Sequence, residues 1–371
     1  MKKIVILAAL AAAAGAASAQ SSVTLFGVVD LGVRYVDAGS NGAVWSLASG
    51  GYQQSRIGFR GTEDLGGGLS ASFWLESVIL ADSGNGSISS TNNQLSGTGA
   101  PIPGSQGITF NRRSTVSLAG SWGELRLGRD HVPFFWNTAN FDPFQANGIG
   151  SVVNLGIGAL NILTGAQLNG TSWGARASNS IGYFLPNLGG FYGQAMYAMG
   201  ENPSNTAISS NGNVGSVRLG YANGPINIAY AWGQTDFFLN AAKPSTSYQT
   251  QSVGASYNFG VAKLTGLWSQ DKAVGKSSGV YLVGATVPLG AGEIRGSYSW
   301  GSTTAHALDG SQIALGYIYN LSRRTIAYTS FGRTSNNATG QFALLGNDVA
   351  FAAGAPGATP RAVAIGVRHS F

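Results

Sequence analysis

From Ser22 to Phe371 one pattern recurs: a segment of roughly ten to thirteen residues with hydrophobicity alternating at period two, closed by a tight turn or a longer polar loop. In the first segment Val23, Leu25, Val29, Leu31, Val33 and Tyr35 share one face, while Thr24, Asp30 and Arg34 share the other. One face suits lipid and the other suits water. Past the amino terminus no apolar run approaches the ~20 residues a spanning helix needs, because glycine (56 residues) and polar side chains interrupt every candidate. Backbone amides in hydrocarbon must all find partners, so such a chain enters a bilayer only as a sheet closed on itself.

The alternation places strands near 22–36, 52–64, 68–80, 108–120, 123–131, 173–185, 190–200, 212–223, 225–236, 248–259, 261–271, 278–288, 291–302, 310–320, 323–334 and 361–371. The fold class is therefore all-β, a sixteen-stranded antiparallel transmembrane β-barrel. Tight-turn chemistry stands at Glu63–Gly68, Gly120–Gly123, Pro186–Gly190, Asn223–Pro225 and Leu289–Gly292. Longer connections near 37–51, 81–107, 132–172, 201–211, 237–247 and 335–360 read as loops, with 132–172 the longest. Short periplasmic turns alternating with long extracellular loops give this asymmetry. Tyr183 and Phe184 precede one turn and Phe191 and Tyr192 follow it, as aromatics at a membrane interface do; Tyr257, Phe259, Tyr317 and Tyr319 flank others.

Lys2 and Lys3 precede an apolar stretch that runs into alanines, and Ala17-Ser18-Ala19 supplies a small-residue cleavage site. Residues 1–19 read as a signal peptide cut between Ala19 and Gln20, leaving residues 20–371 as one barrel domain. Export together with the absence of cysteine fits a periplasmic or outer-membrane destination. The formal net charge of +6 falls to about four once Lys2 and Lys3 are removed. No lysine-rich run accompanies it, which argues against a nucleic-acid partner. The last segment, Val363 to Phe371, carries apolar residues at alternate positions, interrupted by His369, and ends on an aromatic. It closes the barrel and has the form of a carboxy-terminal signal for the outer-membrane insertion machinery.

Three segments carry a family resemblance: Ser22-Val-Thr-Leu-Phe-Gly-Val-Val-Asp30, Arg60-Gly-Thr-Glu-Asp-Leu-Gly-Gly-Gly-Leu69 and Gly123-Glu-Leu-Arg-Leu-Gly-Arg-Asp130. Arg112–Leu118 and Tyr257–Leu264 extend it. The chain resembles the trimeric general porins of β-proteobacteria, most of all the anion-selective type. The resemblance implies a homotrimer of sixteen-stranded barrels in an outer membrane containing lipopolysaccharide. It also implies a third extracellular loop, here 132–172, folded into the lumen as a constriction, and passive diffusion of small anions and hydrophilic solutes.

Between Gln20 and Asn240 every Lys or Arg position is arginine, and lysine returns only at Lys243. Arginine is always charged and presents a fixed fan of donors, suited to brief contact with carboxylate, phosphate or sulfate. By alternation Arg56 and Arg60 share a face with Gly58 and Thr62 against Ile57 and Phe59. Arg113 joins Thr115 and Ser117, and Arg176 joins Ser178 and Ser180, so each points to the lumen. At similar depth Arg56, Arg113 and Arg176 make an arc that favours anions, and the resemblance implies the same role at these positions. Arg129 has the opposite parity and turns inward only if a bulge follows Gly128. Arg112 reads as a rim residue. Glu76 faces the lumen with Ser70, Ser72 and Trp74 and can hold neighbouring arginines in place. Asp142, the one acid of the long loop, either faces the arc across the eyelet or forms a local turn before Pro143.

Gly170-Thr-Ser-Trp-Gly174 matches a nucleophile-elbow pattern but leads into a barrel strand rather than a helix, and His131, His306 and His369 are too scattered for a triad or a metal cluster. The expectation is a diffusion pore without cofactor or metal. The alternatives are a porin specific for one anionic nutrient and, in a different class, a barrel enzyme or adhesin.

Overall fold

The computed structural model describes residues 22–39, 42–87, 93, 107–156, 175–344 and 355–371. The expected cleavage site at Ala19–Gln20 and residues 157–174 of the long loop lie outside these. Seventeen strands follow one another: β1 (Ser22–Asp37), β2 (Ala43–Ser49), β3 (Arg56–Gly66), β4 (Leu69–Val78), β5 (Arg113–Gly120), β6 (Gly123–His131), β7 (Arg176–Phe184), β8 (Phe191–Ala198) and β9 (Val214–Asn223). Then come β10 (Ile226–Phe237), β11 (Thr246–Asn258), β12 (Lys263–Ala273), β13 (Lys276–Leu289), β14 (Gly292–Thr303), β15 (Asp309–Asn320), β16 (Thr325–Asn336) and β17 (Arg361–Ser370). All pair antiparallel, and β17 returns to β1 in a register running from Val28 opposite Ser370 to Asp37 opposite Arg361. The sheet is closed and has no free edge.

Seventeen strands make sixteen staves, because β2 and β3 both pair with β1, end to end. Ser49 stands opposite Leu31 and Arg56 opposite Val28, so residues 50–55 fill a gap that only Val29 and Asp30 span on β1. The excess chain turns off the wall, held by Asp30, whose carboxylate accepts the Tyr52 and Gln53 N–H groups at 2.8 and 2.6 Å. The sequence reading of 37–51 as a loop is corrected here. Trp45 and Leu47 alternate outward opposite Tyr35 and Val33, a strand signal too short to register beside its flanking glycines.

Side chains follow the expected inversion of a soluble protein. Leu25, Val33 and Ile365 lie on the outer surface at 52, 52 and 63% exposure, whereas Ser252, Gln312 and Thr334 face inward and are buried. Alternation also corrects the aromatic reading. Tyr183 and Phe191 face outward, Trp122 stacking on Tyr183 and Phe191 packing on Tyr221. Phe184 and Tyr192 take the opposite parity and face the lumen, each beneath an arginine.

After β6 the chain enters the barrel. Pro133 opens the short helix α1 (Pro133–Phe141), where its missing N–H costs nothing. Phe134, Asn137, Thr138 and Phe141 form its buried face. Asn137 donates to Ser252 Oγ at 3.0 Å, and the Phe134 N–H donates to Ser216 Oγ at 3.2 Å, both on inward wall positions. A row of inward glycines then seats the following residues. A methyl group at Gly254 would overlap the Phe141 ring, one at Gly284 would meet Pro143 and one at Gly316 would press on Phe144. At Gly332 a methyl would crowd the Ile149 carbonyl, and Gly148 itself abuts Gly51. The segment therefore runs round the inner wall from β9 to β16, touches the 50–55 excursion at Gly148, and folds back so that Leu155 lies against Gly301 of β14.

Candidate functional site: the charged lining of the lumen

Among the described residues the loop packs on the inner face from β9 to β16 and meets β6 where Phe135 and Trp136 lie on His131, and the wall from β3 to β7 carries the arginines. On its lumen side Glu76 of β4 stands opposite Gly58 of β3 and Arg113 of β5. Its Oε1 is 3.6 Å from Arg56 Nε and is also the acceptor of Arg112 Nε. Its Oε2 accepts from Trp74 Nε1 at 3.0 Å. Arg56 and Arg112 share Gln54 of the excursion, through its carbonyl and its side-chain oxygen respectively. One carboxylate thus gathers two cations from separate segments. Charges so placed would repel one another without it.

Asp130 plays the same part higher on the wall. Its Oδ2 lies 2.5 Å from Arg126 Nη1 and 3.8 Å from Arg113 Nε, and Arg126 also pairs with Glu124 at 2.8 Å. The Arg113 guanidinium lies 4.7 Å from the Trp74 ring centre. Arg60 sits lower, towards the turn end, over Phe26 and Trp74 at 5.3 and 5.2 Å.

Two irregularities bring in residues that strict alternation leaves out. Gly128 has φ +118°, and the β6–β7 register slips between it and Asp130, so Arg129 turns into the wall. There Arg129 donates to the Asn111 carbonyl at 2.6 Å and Ser178 Oγ at 2.9 Å. Opposite, Asn179 has φ +56° and breaks the parity that placed Arg176 with Ser178 and Ser180. Arg176 instead stands across from His131, and its guanidinium is within electrostatic reach of Arg112, Arg129, Glu76 and Asp130. Arg112 is not a rim residue: it is 9% exposed inside the Glu76 network.

Asp142 points away from this wall. One carboxylate oxygen accepts the Phe144 N–H at 2.9 Å, and the other accepts Ala146 and Val152 at 3.1 and 3.0 Å. Burial pushes its pKa up to about 6 against the pull of these N–H groups and of Arg295.

Other lumen residues escaped the sequence reading. Arg126, Arg218, Arg295 and Arg368 each oppose apolar neighbours at odd spacing, so the parity test used for Arg56 finds them too. Arg295 and Arg368 flank the Tyr52 ring at 4.8 and 5.9 Å. Arg218 donates to Asn137 Oδ1 at 3.2 Å beneath α1. Tyr52 and Gln54 gave no sequence signal, because their inward turn depends on Asp30.

The family model for Gram-negative porins matches residues 7–339. The chain belongs to the Gram-negative porins. Over the full length of both chains this porin is 39% identical to outer membrane porin protein 32 of Delftia acidovorans. It is 30% identical, again over both full lengths, to an outer membrane porin protein of Bordetella pertussis. Its structure is similar to that of the anion-selective porin from Comamonas acidovorans, with a TM-score of 0.80 and 36% identity, covering 95% of this chain and 100% of the other. It is a channel protein of the outer membrane, with the loop end of its barrel extracellular and the turn end periplasmic.

Proposed function

We propose that this porin is an anion-selective diffusion channel whose narrowest part lies between the arginine wall of β3–β7 and the loop segment 133–156. One observation carries the reading: Arg56, Arg112, Arg113, Arg126, Arg129 and Arg176 lie with Glu76, Glu124 and Asp130, six cations against three carboxylates, on the wall from β3 to β7. The loop offers no counter-field, since Asp142 is spent on its own backbone. An anion reaching the gap meets guanidinium groups already held in place, so little ordering cost accompanies each transient contact. Glu76 and Asp130 keep the arginines extended while cancelling only part of their charge. Arg60 catches anions nearer the periplasmic side, and Arg129 adds charge from within the wall.

The chain works as a homotrimer, after removal of residues 1–19, and Phe371 is read by the insertion machinery. Outer-membrane lipid and lipopolysaccharide surround it. The experiment is a reversal potential across a planar bilayer in a salt gradient. Anion preference is expected, and replacing Arg56, Arg113 and Arg176 together by Gln lowers the anion-to-cation permeability ratio roughly tenfold, about 1.4 kcal/mol. Neutralising Arg323, Arg324 and Arg333 serves as control. A cation-selective sign, or equal effects of the two triples, rejects the reading.

A further inference from the structure

One row below Glu76, towards the periplasmic end, the charged wall turns aromatic. The inward side chains of that row run from Thr24 to Arg60, Trp74 and Thr115, each opposite the next. The Trp74 indole is held in place, because its Nε1 donates to Glu76 Oε2 at 3.0 Å. Phe26, from the row above, packs on it with ring centres 4.9 Å apart and planes inclined at 58°. Gly58 makes room for this packing, since a methyl group there would overlap the Phe26 ring. Both rings stay only half-buried on the lumen side. In the row beneath, Thr62, Ser72 and Ser117 carry short hydroxyl side chains that leave the approach clear.

Arg60 lies over the two rings, its guanidinium 5.3 Å from the centre of Phe26 and 5.2 Å from that of Trp74. Arg113 reaches the same indole from the row above, at 4.7 Å. Arg60 differs from its neighbours in the wall. Arg56 and Arg112 are drawn to Glu76, Arg113 and Arg126 to Asp130, and Arg129 to the Asn111 carbonyl and Ser178. Arg60 is exposed and, among the described residues, has neither an ion pair nor a side-chain hydrogen bond. The acid on its own face of β3, Asp64, accepts the Gly66 N–H at 2.9 Å down at the turn. A guanidinium with its donors unspent thus overhangs two rings whose surfaces are not fully covered.

We infer that Arg60, Phe26 and Trp74 form a subsite for aromatic carboxylates just below the constriction. The inference rests on the anion-channel reading and names the solute class that this part of the channel retains longest. The planar fork of Arg60 takes both carboxylate oxygens, and the solute ring lies against Phe26 and Trp74 in a tilted or offset contact. A small inorganic anion uses the guanidinium alone, and an aliphatic carboxylate gains no ring-to-ring contact. Trp74 is already fixed by Glu76 and Phe26 by its seat over Gly58, so little ordering cost accompanies binding. Open water on the remaining sides lets the solute leave again, as conduction requires.

The experiment adds benzoate, cyclohexanecarboxylate or acetate to single channels in potassium chloride and reads the concentration of each that halves the current. Benzoate is expected to act at a concentration roughly fivefold or more below the other two, the size of one aromatic pair contact. Phe26→Leu, which keeps an apolar side chain and removes the ring, is expected to erase most of that advantage, with the two non-aromatic acids as internal reference. Arg60→Lys keeps the charge but not the fork, and is expected to raise the half-blocking concentration of benzoate by a similar factor. Equal block by benzoate and cyclohexanecarboxylate in the parent, or an unchanged benzoate advantage in both variants, would overturn the inference. The reversal potential in chloride alone separates the two levels. An anion-selective parent without a benzoate advantage overturns the subsite only, whereas a cation-selective parent overturns the wider reading with it.

Discussion

Asp142 accepts three backbone hydrogen bonds from its own loop, and burial raises its pKa from the usual 3.8 to about 6. A raised pKa means that the folded loop binds the proton more tightly than the unfolded one does. The associated stability is therefore full below about pH 4, is lost as pH rises to about 6, and is level beyond, a change of roughly 3 kcal/mol. Hydrogen exchange of the Phe144, Ala146 and Val152 amides, corrected for intrinsic rate, should report protection falling across this window. Asp142→Asn should flatten the profile and leave the sign of ion selectivity unchanged. Residues on the opposite wall behave differently, since Glu76 and Asp130 pair with guanidinium groups. The sequence was legible for Arg56, Arg60, Arg113 and Glu76, whose strands alternate without interruption. It was misleading for Arg112, which lies just before β5, where no strand parity applies.

At the scale of elements, α1 and the turn after it depend on glycines chosen for what they leave empty. Gly254, Gly284 and Gly316 lie on the inward parity of three different strands, and no spacing within any one strand announces that they form a track. Gly254→Val would place a branched side chain in the Phe141 ring. Overpacking of this kind costs about 1–3 kcal/mol, and the helix is expected to move off the wall towards the arginines. Single-channel conductance should fall while strand content by circular dichroism stays constant; an unchanged conductance would remove Gly254 as the seat of the loop. The break between β2 and β3 belongs to the same scale. Asp30 binds Tyr52 and Gln53, also accepts the Tyr328 hydroxyl at 2.7 Å, and so fixes where the second stave leaves the wall. Its acidity reads as a lumen residue in the sequence, but its partners 22 and 298 positions away do not.

The whole molecule is held by closure. Gly27 and Phe371 exchange backbone hydrogen bonds of 3.1 Å in both directions, and the Phe371 ring covers the space a side chain at Gly27 would need. The first and last strands thus meet at a seam covered by the Phe371 ring. Deleting Phe371 exposes the Gly27 N–H and C=O at the periplasmic edge of the hydrocarbon, where an unpaired amide costs more than in water. Heat-modifiable mobility on electrophoresis should show a smaller assembled fraction and a lower melting temperature for the deletion. Gly27→Val, which displaces the ring but keeps the length, is expected to reproduce part of the loss. Wild-type assembly in both variants would dismiss the seam as a stabilising feature.

Period-two alternation, turn chemistry and the lack of a helix-length apolar run determined the closed sheet, its sixteen staves and the side each regular residue faces. These follow from local rules: a strand has two faces, and hydrocarbon tolerates no unpaired amide. Only the tertiary structure decided which cations share a carboxylate, because Arg56 and Arg112 reach Glu76 from either side of β4 and both hold Gln54 of the excursion. It also decided the two bulges that redirect Arg129 and Arg176, the inward turn of Tyr52, and the self-contained role of Asp142. The shared carboxylates and the inward turn of Tyr52 are contacts between segments distant in the chain, and their energy depends on positions that no single stretch of sequence encodes; the loop's own fold settles Asp142.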